Sequence, residues 1–124
     1  MVRTLTTDDF NLTLESDSNG WCEVYIRIGY KTIRLGADHE AIVVQRLMSA
    51  MDRNLNGPMV GAIQGINVVW ILSLAEEHAT IYAGDDAGYR ILFFQDASGN
   101  PVGDVRLTHD DKRHWLSILA VRAE

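Results

Sequence analysis

Apolar and polar residues alternate along most of this chain. Phe10, Leu12 and Leu14 are separated by polar residues and run into Asp17-Ser18-Asn19-Gly20, a turn signal. From Trp21 to Ile28 the alternation is unbroken. Cys22, Val24, Ile26 and Ile28 fall on one face, Trp21, Glu23, Tyr25 and Arg27 on the other. This predicts strands with one covered and one open face, the habit of antiparallel sheets. Gly29-Tyr30-Lys31 turns the chain into a third strand ending Ile33-Arg34-Leu35. From Asp38 to about Leu55 the period becomes helical. Ala41, Val44, Leu47, Met48, Met51 and Leu55 form one stripe, with Gly36 or Asp38 as the cap and Asn56-Gly57-Pro58 as the stop.

The second half returns to short strands. Met59 to Leu74 reads as two strands broken near Gln64-Gly65, and Glu76-Glu77-His78 as a solvated hairpin loop. Strands at 79–83, 89–95 and 102–107 are joined by Asp85-Asp86-Ala87-Gly88 and Ala97-Ser98-Gly99-Asn100, which makes a meander. Thr108 caps a last helix, with Asp111 at the capping-box position and Asp110 complementing the helix dipole. Trp115, Leu116, Ile118 and Leu119 supply its buried side. The expected fold is α+β: an antiparallel sheet of seven or eight strands with two amphipathic helices, the second C-terminal.

One pattern occurs twice. Ile33-Arg34-Leu35-Gly36-Ala37-Asp38 resembles Val105-Arg106-Leu107-Thr108-His109-Asp110, and Leu47 falls in register with Leu119. Each half reads as strands, a strand ending in Arg-Leu, a cap and a helix. The expected organisation is one domain, 1–124, with pseudo-repeated halves at 10–56 and 59–122 related by a pseudo-twofold axis.

Composition narrows the function classes. A chain of 124 residues that is 47% hydrophobic and 23% charged can bury a core without disulfides or metals. Its net charge of −6 argues against polyanion binding at long range. Cys22 has no partner for a disulfide and reads as a small buried apolar residue. Met1 to Phe10 lacks the apolar segment of a secretory signal, and Ile66 to Ala75 is too short to span a bilayer. The expectation is therefore a cytoplasmic protein without membrane contact.

Candidate chemistry is sparse. His39, His78, His109 and His114 are scattered, and His109 and His114, five apart, diverge around a helix. Asp110 and His114 are spaced to meet, which reads as a surface pair. Gly57 to Gly65 lacks the ending of a phosphate-binding loop, and no nucleophile motif is present. No cofactor and no metal are expected, and an enzyme would need a site assembled from distant residues.

One constellation remains. Trp21, Tyr25, Arg27, Arg34, Arg90 and Arg106 read as outward positions on their strands. Cys22, Val24, Ile26, Ile33, Leu35, Leu92, Phe94, Val105 and Leu107 read as inward. Aromatics mixed with arginines suit a protein interface, and they equally suit single-stranded nucleic acid, where bases stack and guanidinium groups meet phosphates. The order of elements in the two halves resembles the Whirly group of single-stranded-DNA-binding transcriptional regulators. That resemblance implies two sheet-plus-helix halves and a nucleic-acid partner, and carries over no residue, because the lysine-rich strand of that group has no counterpart here. The leading expectation is a non-catalytic binding or regulatory protein acting through a protein partner or a second copy of itself. A single-stranded nucleic-acid binder is the alternative.

Overall fold

The computed structural model describes residues 1–8, 10–52, 55 and 57–121, and of residues 70 and 71 the backbone alone. Asn56, in the predicted helix stop, and Arg122, at the end of the predicted second half, lie outside the described residues. The chain forms an α+β fold with two antiparallel five-stranded sheets and two helices. Four strands come first: β1 (Val2–Thr7), β2 (Phe10–Ser16), β3 (Trp21–Ile28) and β4 (Lys31–His39). Helix α1 follows (Glu40–Asp52). Then come β5 (Gly61–Ile63), β6 (Ile66–Leu72), β7 (Glu76–Glu77), β8 (Ala79–Asp86), β9 (Tyr89–Asp96) and β10 (Pro101–Leu107), and helix α2 closes the fold (His109–Leu119). Sheet A has the order β1-β2-β3-β4-β7 and sheet B the order β10-β9-β8-β6-β5. A four-strand meander leading into a helix thus occurs twice, as β1-β2-β3-β4-α1 and as β6-β8-β9-β10-α2. No helix among the described residues is long and apolar enough to cross a membrane.

The inner faces of the two sheets close on one core. Leu12, Leu14, Cys22, Val24, Ile26 and Leu35 come from sheet A, and Ile81, Ala83, Leu92, Phe94, Val105 and Leu107 from sheet B. Phe10 stacks between Phe94 and Trp115, with ring centroids 5.3 Å from the first and 6.2 Å from the second. The Trp115 indole donates to the Thr6 carbonyl, which seats α2 on β1 and satisfies the one polar atom of a fully buried ring.

The predicted α2 is present with its caps. Thr108 accepts from the Asp111 backbone while Asp111 accepts from the Thr108 backbone, and Trp115 and Leu119 are buried. Helix α1 is shorter than expected and turned in phase. Val43, Leu47, Ala50 and Met51 are its buried stripe, whereas Val44, Met48 and Leu55 pack at the margin and Ala41 is exposed. Neither predicted cap serves, because β4 continues to His39. Gly36 lies mid-strand at φ 155°, where an added Cβ would run into the Glu76 carbonyl of β7. Asp38 is buried and accepts from the Ala75 amide at 2.9 Å, tying β4 to the loop before β7. Glu76-Glu77 is accordingly a two-residue strand on β4 rather than a free loop.

Two buried arginines brace one half against the helix of the other. Arg90 of β9 donates to the Ala50 carbonyl near the end of α1 at 2.6 Å and to Asp85 at 2.7 Å. Arg3 of β1 pairs with Glu40 and donates to the Val121 carbonyl just past α2. Neither helix has a basic residue in its own last turn, so the cation that a helix C-terminus favours comes from across the core.

A candidate interface on the outer face of sheet A

The alternation of β3 sends Trp21, Glu23, Tyr25 and Arg27 to the outer face while Cys22, Val24 and Ile26 enter the core. Antiparallel register then lines up the neighbours. Tyr25 lies between Thr13 of β2 and Arg34 of β4, and Arg27 between Asn11 and Thr32. Four of the six expected site residues, Trp21, Tyr25, Arg27 and Arg34, therefore share one surface. A shallow hollow of about 250 Å³ opens beside Tyr25, lined by Thr13, Glu15, Arg27 and Thr32. Another of about 280 Å³ opens beside Trp21, lined by Glu15, Asp17 and Glu23.

The electrostatics of this face are internal. Arg34 bridges Glu23 at 3.0 Å and Glu76 at 2.9 Å, and the two carboxylates hold its guanidinium firmly charged. The Tyr25 hydroxyl donates to Glu23. That bond, followed by Arg34, lowers the Glu23 carboxyl below its usual range, and the same bond raises the Tyr25 phenol. Tyr25 is thus held as a neutral donor and Glu23 as its charged acceptor. Trp21 packs edge-on against His39 at 5.4 Å between centroids. Arg27 is exposed, and its one hydrogen bond among the described residues is to the Gly29 carbonyl at 3.4 Å.

The other two expected residues lie elsewhere. Arg90 is 5% exposed and points inward. It shares the parity of Leu92 and Phe94, so a strand that buries them must bury it too. Arg106 is outward but on sheet B, bonded to Asp86 at 3.3 Å with its guanidinium 5.9 Å from the Tyr89 ring centre. The site residues missing from the sequence reading are Glu23 and Glu76. Glu23 was legible from its place in the β3 alternation. Glu76 was not, because the short strand that carries it gives no periodic signal.

A separate groove of about 630 Å³ lies between α1 and the end of α2. Ala41, Val44, Met48, Leu119 and Val121 line it above the Arg3–Glu40 pair. Its two charges answer each other, so it offers apolar surface without a reactive group. The histidines do not converge, and no cluster of three or more metal-ligating side chains occurs among the described residues. Comparison with models of known protein families, with curated proteins and with solved structures finds no match.

Proposed function

We propose that this protein is a non-catalytic binding module that engages a protein partner, in the simplest case a second copy of itself, through the outer face of sheet A. The observation that carries this reading is the occupancy of the arginines. A phosphate-binding face needs free guanidinium groups. Here Arg34 lies between two carboxylates, Arg106 bonds to Asp86, and Arg90 is inside the core. Only Arg27, of the four, is exposed without an ion pair among the described residues. Around it Glu15, Glu23 and Glu76 outnumber Arg27 and Arg34, which suits a mixed protein surface and opposes a polyanion. Trp21 and Tyr25 are the rigid amphipathic anchors that protein interfaces favour.

The single-stranded nucleic-acid reading rests on the twice-occurring meander-and-helix order and on the same two aromatics. One pair of measurements separates the two. Sedimentation equilibrium should show concentration-dependent self-association that Tyr25→Ala weakens, while Arg106→Ala, on the other sheet, leaves it unchanged. Fluorescence anisotropy with a labelled single-stranded oligonucleotide should show no binding at physiological salt. Micromolar binding that falls by about 0.7 log units per log unit of salt for each phosphate contacted, and that Tyr25→Ala removes, would reverse the assignment.

A further inference from the structure

The two sheets have matching rows on their outer faces. Thr13-Tyr25-Arg34 in sheet A corresponds to Gly84-Ile91-Arg106 in sheet B, and Asn11-Arg27-Thr32 corresponds to Tyr82-Phe93-Asp104. Sheet A leaves its rows open, whereas in sheet B Ile91 and Phe93 are buried. What covers them is the hairpin β5–β6. The ladder between β6 and β8 shifts register between Val68 and Trp70, and its one pair N-terminal to that irregularity is Val68 with Gly84. The Asn67 carbonyl comes within 2.7 Å of where a Cβ on Gly84 would sit, and the Ile66 side chain within 3.3 Å. The hairpin therefore crosses over β8. Ile63 and Ile66 pack on a small cluster of Val68, Ile91 and Phe93 that is separate from the main core. At the tip Gln64 reaches β10 and donates to Asp104 at 3.4 Å.

We propose that the β5–β6 hairpin is a hinged strap that shuts the apolar outer face of sheet B and lifts from it as a unit while the main core stays folded. Three features make it separable. Its ladder is short: β5 has three residues and pairs with β6 alone. Its anchors Ile63 and Ile66 are half-buried, and Ala62, Gln64, Gly65 and Asn67 are exposed, so lifting it uncovers the small cluster of Val68, Ile91 and Phe93 and leaves the main core covered. The only hydrogen bond between side chains of the tip and β10 among the described residues is the long, exposed Gln64–Asp104 bond. The register shift at Val68/Trp70 and the exposed run Gly57-Pro58-Met59-Val60 are the two hinges. Beneath the tip lies a cavity of about 290 Å³, lined by Ile63 and Gln64 of the strap and by Phe93, Gln95 and Val102 of the sheet, so the seat is incompletely filled even when shut. The strap makes sheet B a closed counterpart of the open sheet A. This inference stands on the hairpin geometry and does not depend on what sheet A binds.

Native-state hydrogen exchange on the whole chain tests it. Amides of residues 60–68 should exchange roughly tenfold or more faster than those of β8 and β9, through an opening insensitive to low denaturant. Gly84→Ala places a methyl group against the Asn67 carbonyl and should speed exchange in 60–68. It should also raise binding of the dye ANS, with the exchange of β8 and β9 little changed. Should Gly84→Ala fail to fold, Ile63→Ser removes an anchor instead and should give the same pattern. Exchange of 60–68 as slow as that of β8 and β9 in the unaltered chain, or an Ile63→Ser variant that speeds both regions equally, would show the hairpin to be an integral part of the sheet and overturn the proposal.

Discussion

At the scale of the residue, parity decides placement and charge does not. Arg90 shares the parity of Leu92 and Phe94, yet a reading guided by its charge puts it in water. Four apolar residues in succession, Ile91 to Phe94, give β9 no polar alternation to mark its inner face, and the buried guanidinium is tolerated because the Ala50 carbonyl and Asp85 receive it. Arg90→Met should therefore cost about 1–3 kcal/mol in urea unfolding, by leaving the Ala50 carbonyl without its donor. Cys22 follows the same parity rule in the expected direction: it is fully buried beside Val24 and Ile26. Burial raises its thiol above the ordinary range, so native-state labelling by a thiol reagent should be slow and limited by unfolding. The raised value also fixes a pH dependence. The folded state favours the neutral thiol, so its contribution is intact below the unfolded pKa of about 8.5 and is lost as pH climbs through the folded value. Stability should fall at alkaline pH more steeply than in Cys22→Ala, as read by urea midpoints at pH 7 and pH 10.

At the scale of the element, local signals were legible where the chain carries its own punctuation. The capping box of α2, the β2–β3 turn and the break at Gln64-Gly65 were all readable, and the last is a hairpin with positive φ at both residues. Signals failed where tertiary contacts set the outcome. Strand β1 was missed because its inward positions are Arg3 and Leu5 rather than an apolar series, although Thr4, Thr6 and Thr7 favour extended backbone. The α1 stripe was misphased because the helix is apolar around a wide arc, and the sequence does not say which part meets the core. The buried part is Val43-Leu47-Ala50-Met51, and the remainder, Ala41-Val44-Met48, lines the groove beside α2. This phase is testable by pairing two truncations. Leu47→Ala should destabilise by about 2–5 kcal/mol, while Ala41→Ser, on the exposed side, should stay within about 0.5 kcal/mol of the parent. Equal losses at the two positions would put the helix in the wrong rotation.

At the scale of the whole molecule, what the sequence could not show is how the halves depend on each other. The Arg-Leu pattern seen twice falls on β4 and β10, the last strand before each helix, but nothing in it says that α2 packs on β1 or that α1 meets β6. Those contacts cross between the halves, and so do both buried arginine braces. The row of Phe10, Phe94 and Trp115 spans β2, β9 and α2 in the same way. Neither half could bury its inner sheet face alone: Leu12, Leu14, Val24 and Ile26 are covered only when sheet B and the helices close over them. A fragment ending at Gly57 would expose that face, leave the Ala50 carbonyl of α1 without its Arg90 donor, and lose burial worth far more than the few kcal/mol by which domains are stable. The chain should therefore unfold in one cooperative step, with tryptophan fluorescence and far-UV circular dichroism giving coincident urea curves. Residues 1–57 made alone should show no cooperative transition, and mixing them with residues 58–124 should restore one in a concentration-dependent manner. A fragment 1–57 that unfolds cooperatively by itself would mean that each meander with its helix is a self-sufficient unit, and that the cross-bracing arginines join two domains rather than complete one.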